Sequence, residues 1–414
     1  MNLKKNIATL MLMILLMLVT GCGKELNPES LKLSNDVQFG ITDYQKISTP
    51  NNQLGFQLFG EVSEDNNGNI FISPISLYMA LSMLYNGAEG KTKEEIAKVL
   101  HVEGMDVNEL NKANASLRSK LQNDSTQIQL NVANSIWLND NFHFRSNFAK
   151  NNSHYFQAKI EEININDQKT PKRMNDWSKE STNGKIDNIV SEPLDRYLVA
   201  MLINAIYFKG DWTYPFDHEQ TQKQSFHVTD GTTKEIPLMV LNETLPYFEH
   251  EKFQAVSLPY GDETVSMKVL LPKENSSLDE LKGIFTMDNW KKWESALYEQ
   301  NGTILLPKFQ LEYEAILNDC LVNLGMATAF SQNANFMRMI EEINSLTISA
   351  VKQKTFIDVN EEGTEAAAIT SVAIAETAAP AKSFYMKVNR PFIIVITDDE
   401  TETILFMGAI ANPT

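Results

Sequence analysis

EEGTEAAAITSVAIAETAAP, residues 361–380, is an unusual segment to find near the end of a chain. It is small, apolar and β-branched, with few charges and no core-sized aromatic. An alanine-rich helix is one reading, but Ile369, Thr370, Val372, Ile374 and Gly363 weaken it. A flexible linker is another, but linkers are usually more polar. A strand repeats every two residues. One face would then carry Thr364, Ala366, Ala368, Thr370, Val372 and Ile374, none charged and none large before Val372. The other would carry Glu365, Ala367, Ile369, Ser371, Ala373 and Ala375. Such a segment can slide late into a slot in a sheet, its first face on a hydrophobic core. A charge there would block entry, because burying an unpaired charge is costly.

Outward from this segment the pattern is mixed. Helical spacing occurs at 75–86, 92–100, 108–122, 171–183 and 314–325. Strand-like runs occur at 127–138, 199–208, 265–271, 303–311, 354–360, 392–397 and 403–410. The two types do not alternate strictly, so a doubly wound parallel sheet is excluded in favour of one large α+β domain. With 414 residues, 43% of them hydrophobic, the chain can bury a sizeable core. A net charge of −17 without clustered Lys or Arg argues against nucleic acid as a partner.

Enzyme motifs are missing. His101, His143, His154, His218, His227 and His250 stand singly, without the helical spacing of a zinc site. No G-x-S-x-G elbow, P-loop or dinucleotide fingerprint occurs. A Ser-His-Asp triad is defined by geometry rather than order, so a hydrolase stays open as a third class. The expectation is no enzyme, no metal and no cofactor.

The first residues read as an address. Lys4-Lys5 precede an apolar run from Ile7 to Val19, too short to span a bilayer but the length of a signal-peptide core. It ends in Leu18-Val19-Thr20-Gly21-Cys22, which resembles the lipobox of bacterial lipoproteins; a plain secretory signal with an incidental cysteine is the alternative. The resemblance implies cleavage after residue 21 and acylation of Cys22. Residues 22–45 then form a lipidated tether and 46–414 the folded domain. Several acyl chains on one residue anchor stably where one does not. The expected location is the bacterial cell envelope, periplasmic or surface-exposed. Cys320 lies among Ile316, Leu317, Leu321 and Leu324 and is expected to be a buried, inert thiol.

EEGTEAAA (361–368) resembles the hinge of the reactive-centre loop in inhibitory serpins. NIFISPISLYMALSMLYNGAEGKT (69–92), MNDWSKESTNGKIDNIV (174–190) and LINAIYFKGDWTYPFD (202–217) resemble other serpin segments in the right order, as do VNRPFIIVI (388–396) and LFMGAIANPT (405–414). The resemblance covers nearly the whole chain from about Asn51. It implies a serpin fold: a large central mixed sheet, further sheets, about eight or nine helices and an exposed loop at about 361–385.

The resemblance also implies a mechanism. A serine protease attacks the loop and forms an acyl-enzyme. The cut loop inserts as a new strand, and about fourteen residues at 3.3 Å each carry the tethered enzyme some 45 Å. There its oxyanion hole is distorted and deacylation stalls. The hinge is Glu361, Glu362, Gly363, Thr364, Glu365, Ala366, Ala367 and Ala368. Family spacing puts the scissile bond at Thr377–Ala378, with Glu376 and Ala375 as alternative recognition residues. These suit elastase-like, subtilisin-like or glutamate-specific proteases, and trypsin-like ones only if Lys382 is used. Ser73, Ser76 and Asn204 would lie at the shutter where the sheet parts, and Trp212 at the breach where the loop enters. Gln353 stands where many serpins have a histidine. Glutamine can both donate and accept, but it does not titrate. The partners implied are a target protease held covalently and a membrane reached through lipid, with the chain a monomer. A non-inhibitory serpin serving as a binding or carrier module is the runner-up.

Overall fold

A computed structural model of the chain describes residues 37–122, 127–342, 346–364 and 383–414. In chain order the elements are α1 (Gln45–Glu61), β1 (Ile70–Ile72), α2 (Pro74–Gly87), α3 (Gly90–Val99), α4 (Val107–Leu121), β2 (Ile128–Asn139), α5 (Ser146–Phe156) and β3 (Lys159–Ile163). Next come α6 (Thr170–Ser181), β4 (Ala200–Asp211), β5 (Asp217–His227), β6 (Thr233–Glu249), β7 (Phe253–Tyr260), β8 (Val265–Pro272), α7 (Leu278–Ile284) and α8 (Met287–Glu294). The rest are β9 (Tyr298–Pro307), β10 (Phe309–Ile316), α9 (Asn318–Asn323), β11 (Ala350–Val359), β12 (Gly363–Thr364), β13 (Phe384–Lys387), β14 (Phe392–Asp398) and β15 (Thr403–Ile410). That makes nine α-helices among the described residues.

The strands form two sheets. One has six strands in the order β10-β11-β12-β4-β2-β3. It is mixed: β2 pairs antiparallel with β4 and parallel with β3, while β11 runs parallel to β4. The other has nine, built around β1-β15-β14-β8-β7-β6-β9-β13. Strands β14 and β15 are buried along their whole length, which is why they read as unbroken apolar runs rather than alternating ones.

Helix α2 lies in the middle of the molecule, and all fourteen of its residues are buried. Pro74 opens it at a position where the missing N–H costs nothing. Helix α4 starts at Asp106, whose carboxylate accepts the Asn108 N–H at 2.8 Å, and carries Arg118 and Lys120 in its last turn. Helix α6 and the segment after it cover one face of the six-stranded sheet. Met174, Ile186, Ile189 and Val190 pack there with Trp137 of β2, Ile203 of β4 and Phe356 of β11.

Two sequence expectations fail here. Glu314–Ile316 are strand rather than helix, because the alternation of Phe309, Leu311 and Tyr313 inward continues the pairing as far as Ile316↔Lys352. The helix is shortened to Asn318–Asn323. The run at 303–311 is two strands in different sheets: Lys308 N–H bonds Pro237 O, and Phe309 then pairs with Val359 in the other sheet. Among the described residues, no helix is long and apolar enough to cross a membrane.

Candidate functional site

The site lies where β4 and β11 meet and then separate. The two strands pair from Met201↔Ala350 to Tyr207↔Phe356. Beyond that point they part, and β12 sits between them, antiparallel to both: Thr364 faces Val359 on one side and Gly210 on the other. The chain reverses through Asn360, whose Oδ1 accepts the N–H groups of Glu362 (3.0 Å) and Gly363 (3.3 Å). Gly363 is required at its place. A Cβ there would overlap the Gly210 carbonyl oxygen and come within 2.7 Å of Asp211 Cα.

Trp212 holds this turn. Its N–H donates to Glu362 O (2.8 Å) and its indole Nε1–H to Asn360 O (2.9 Å). Its ring stacks on Tyr260 with centroids 4.2 Å apart and planes 11° apart. The Tyr260 hydroxyl in turn meets Thr364 Oγ1 at 2.7 Å. Burial pushes that phenol well above its ordinary range, so it stays neutral.

Glu361 is almost wholly buried, with 4% of its side chain exposed. It accepts from Thr221 Oγ1 (2.9 Å) and Lys308 Nζ (2.8 Å), while Phe216 N–H takes its carbonyl (2.8 Å). Burial by itself would raise its pKa. The bonds from Lys308 and Thr221 outweigh that and hold the carboxyl below its ordinary range. His218 lies between the two glutamates, Nδ1 at 3.8 Å from Glu361 and Nε2 at 3.5 Å from Glu362.

A second cluster sits lower, at the middle of the closed β4–β11 seam. Gln353 is fully buried. Its Oε1 accepts the Ser73 N–H (3.0 Å), and its Nε2 donates to Ser73 O (2.9 Å) and Asn204 Oδ1 (2.7 Å). Asn204 Nδ2 donates to Asn134 Oδ1 (2.7 Å) and to Ser76 Oγ. Ser73 Oγ donates to Leu405 O (2.7 Å). The cluster therefore ties α2 to β2, β4 and β11, with both amide donors of Gln353 and of Asn204 used.

Of the residues singled out in the sequence, the structure brings Ser73, Ser76, Asn204 and Gln353 together in one network. It gathers Trp212, Glu361, Glu362, Gly363 and Thr364 in the other. Glu365, Ala366, Ala367, Ala368, Ala375, Glu376, Thr377, Ala378 and Cys22 lie outside the described residues. Cys320 is an unpaired buried thiol whose pKa burial raises. The sequence reading missed Tyr260, Thr221, Lys308, His218 and Asn134. Asn134 shares the strand run 127–138 with Gln127, Gln129 and Asn131, so no signal there marks it out; the others come from distant elements. No group of three or more His, Cys, Asp or Glu among the described residues is placed to hold a metal.

The model described as Serpin (serine protease inhibitor) fits residues 49–413. The chain belongs to the serpin family. Iripin-1 of Ixodes ricinus is 34% identical over 371 residues, covering 88% of this chain and 94% of that protein. Tengpin, a thermophilic serpin solved in its native state, superposes with a TM-score of 0.84 at 32% identity, covering 93% of this chain and 99% of that one. Human thyroxine-binding globulin, complexed with its hormone, superposes with a TM-score of 0.81 at 25% identity, covering 90% and 100%. The fold of this serpin is the family's, and serine protease inhibition is the family's described activity.

Proposed function

We propose that this serpin is a suicide inhibitor of serine proteases, anchored to a bacterial envelope by lipid on Cys22. The observation that carries the reading is the placement of Gly363 and Thr364. They already occupy the mouth of the slot between β4 and β11, in the antiparallel sense that a full inserted strand requires. Continued insertion would part the Tyr207↔Phe356 to Met201↔Ala350 pairs and replace them with two new ladders. The Gln353–Asn204 contact lies within that run and would have to break. The native chain is thus a kinetically trapped form, and cleavage of the loop releases it.

The residues at 375–378 (Ala, Glu, Thr, Ala) favour an elastase-like or subtilisin-like target, alternatively a glutamate-specific one. Thr377–Ala378 is the proposed scissile bond. The protein acts as a monomer and needs no cofactor. The test is denaturing gel electrophoresis after mixing the full chain with pancreatic elastase, subtilisin, a glutamate-specific protease and trypsin. A covalent band at the summed mass supports inhibition, and mass spectrometry of the released C-terminal peptide fixes the bond. Clean cleavage with every protease left active points to the second reading, a non-inhibitory binding serpin, which the likeness to thyroxine-binding globulin favours.

A further inference from the structure

A cleft of about 430 Å³ opens between α3, the N-termini of α4 and α5, and the segment around Arg338. In a chain of net charge −17, three cations line it: Lys93, Arg145 and Arg338. Lys93 lies over the Tyr85 ring at 4.7 Å and has no ion-pair partner among the described residues. Arg145 donates its Nε–H to Met337 O (2.6 Å) and has no carboxylate partner among them. Arg338 pairs with Glu89 (2.5 Å).

The one carboxylate in the lining, Asp106, is engaged in capping α4. Three cations thus face two carboxylates, and the positive end of α4 adds to the excess. Burial and the nearby Arg338 push the Lys93 ammonium below its ordinary range, a strain that a bound anion would relieve. Asn108, Asn147 and Asn151 add carboxamides. Asn86 forms only the floor, since Asn111 holds it through two bonds of 2.8 Å.

These features select a ligand. Forked guanidinium groups suit a tetrahedral oxyanion. The volume is that of a small-molecule site rather than of a bare ion. Carboxamides on the wall suit hydroxyl groups on the remainder of the molecule. We propose that this cleft binds a small phosphate ester on a hydroxyl-rich body, of the sugar phosphate or polyol phosphate class. The site is independent of the inhibitory reading and needs no loop movement.

The test is calorimetric titration of the full chain with glucose 6-phosphate, glycerol 3-phosphate, inorganic phosphate and glucose. At least one ester binds at one site per chain and more tightly than inorganic phosphate, and glucose gives no heat. Arg145→Ala and Asn151→Asp each weaken ester binding by about tenfold or more, while thermal unfolding without ligand is unchanged. Arg196→Ala, on an exposed cation outside the cleft, leaves binding as it was. Failure of both esters to bind, binding unchanged in both cleft variants, or inorganic phosphate binding as tightly as the esters overturns the proposal.

Discussion

Gln353 Nε2 donates to Asn204 Oδ1 at 2.7 Å across the register pair that locks β11 to β4. Under the proposed mechanism, this is the contact that an inserting strand would have to break. Replacing Gln353 with Ala leaves the Ser73 amide and Asn204 Oδ1 without their partner in a fully buried site, while the Ser73 carbonyl keeps only the Leu77 N–H. Each buried polar group stripped of its partner costs about 1–3 kcal/mol. Gln353→Ala should therefore lower the unfolding temperature and let the loop insert without cleavage. Gln353→His should restore stability and give it a pH dependence near the imidazole range that the native glutamine does not impose. Melting curves from pH 5 to 8 test both, and a flat profile for the histidine variant counts against the network.

The proposed insertion would also depend on the smallness and neutrality of the hinge. Gly363→Ala places a methyl group against Gly210 O and Asp211 Cα, so β12 has to leave the slot. Thr364→Arg puts a charge on a buried face beside Tyr260. If the parent protein traps a protease as proposed, both variants should be cut by that protease, with the covalent band lost in favour of cleaved chain. A covalent yield equal to the parent's would show that entry at this point does not limit trapping.

Part of this arrangement was legible from residues alone. The inserting face is readable because strand alternation is local: Thr364, Ala366 and Ala368 declare themselves small without any partner in view. The β14 and β15 runs are readable for a similar reason, since burial on both faces leaves an unbroken apolar word. Strand β6 is not, because Pro237 and Pro246 interrupt it and would ordinarily end a strand. The span 303–316 is misread because the sheet change at Lys308 is set by Pro237 and Val359, far away in sequence. Tyr260 and Lys308 reach the hinge only through the fold, and no spacing connects them to Glu361.

Glu361 makes the native hinge acid-sensitive. Its folded pKa lies below its unfolded one, so the stabilisation is fully present above the ordinary glutamate range. It is lost as pH falls through the folded value. Lys308 is partly exposed, so the pair contributes less than about 1 kcal/mol. The unfolding temperature should fall more steeply below pH 5 in the parent than in Glu361→Gln, with the two curves converging once the carboxylate is protonated. Parallel curves across that range would remove Glu361 from the account.

Cleavage of the loop supplies a test of the trapped state that does not require inhibition. A loop that inserts gains two new ladders, and about fourteen residues with ladder bonds of about 1 kcal/mol each put the gain on the order of 10 kcal/mol or more. A change of that size moves an unfolding transition by tens of degrees. After limited digestion with elastase, the nicked chain should melt far above the intact one. An unchanged transition would mean that the loop stays outside the sheet, and the binding-module reading would then be the better one.

The lipid anchor is tested separately, because its loss leaves the folded domain intact. The apolar run Ile7–Val19 and Cys22 make opposite predictions for the mature chain. A lipoprotein loses the run and keeps acyl chains on Cys22, whereas a plain secretory protein keeps neither at its terminus. In a bacterial host fed labelled palmitate, the parent chain should take up label and sediment with membranes. Cys22→Ser should do neither, while its protease trapping stays at the parent level, since insertion uses β4 and β11 alone. Label retained in Cys22→Ser would move the acylation elsewhere. Membrane association without label would replace the lipid with an uncleaved signal segment.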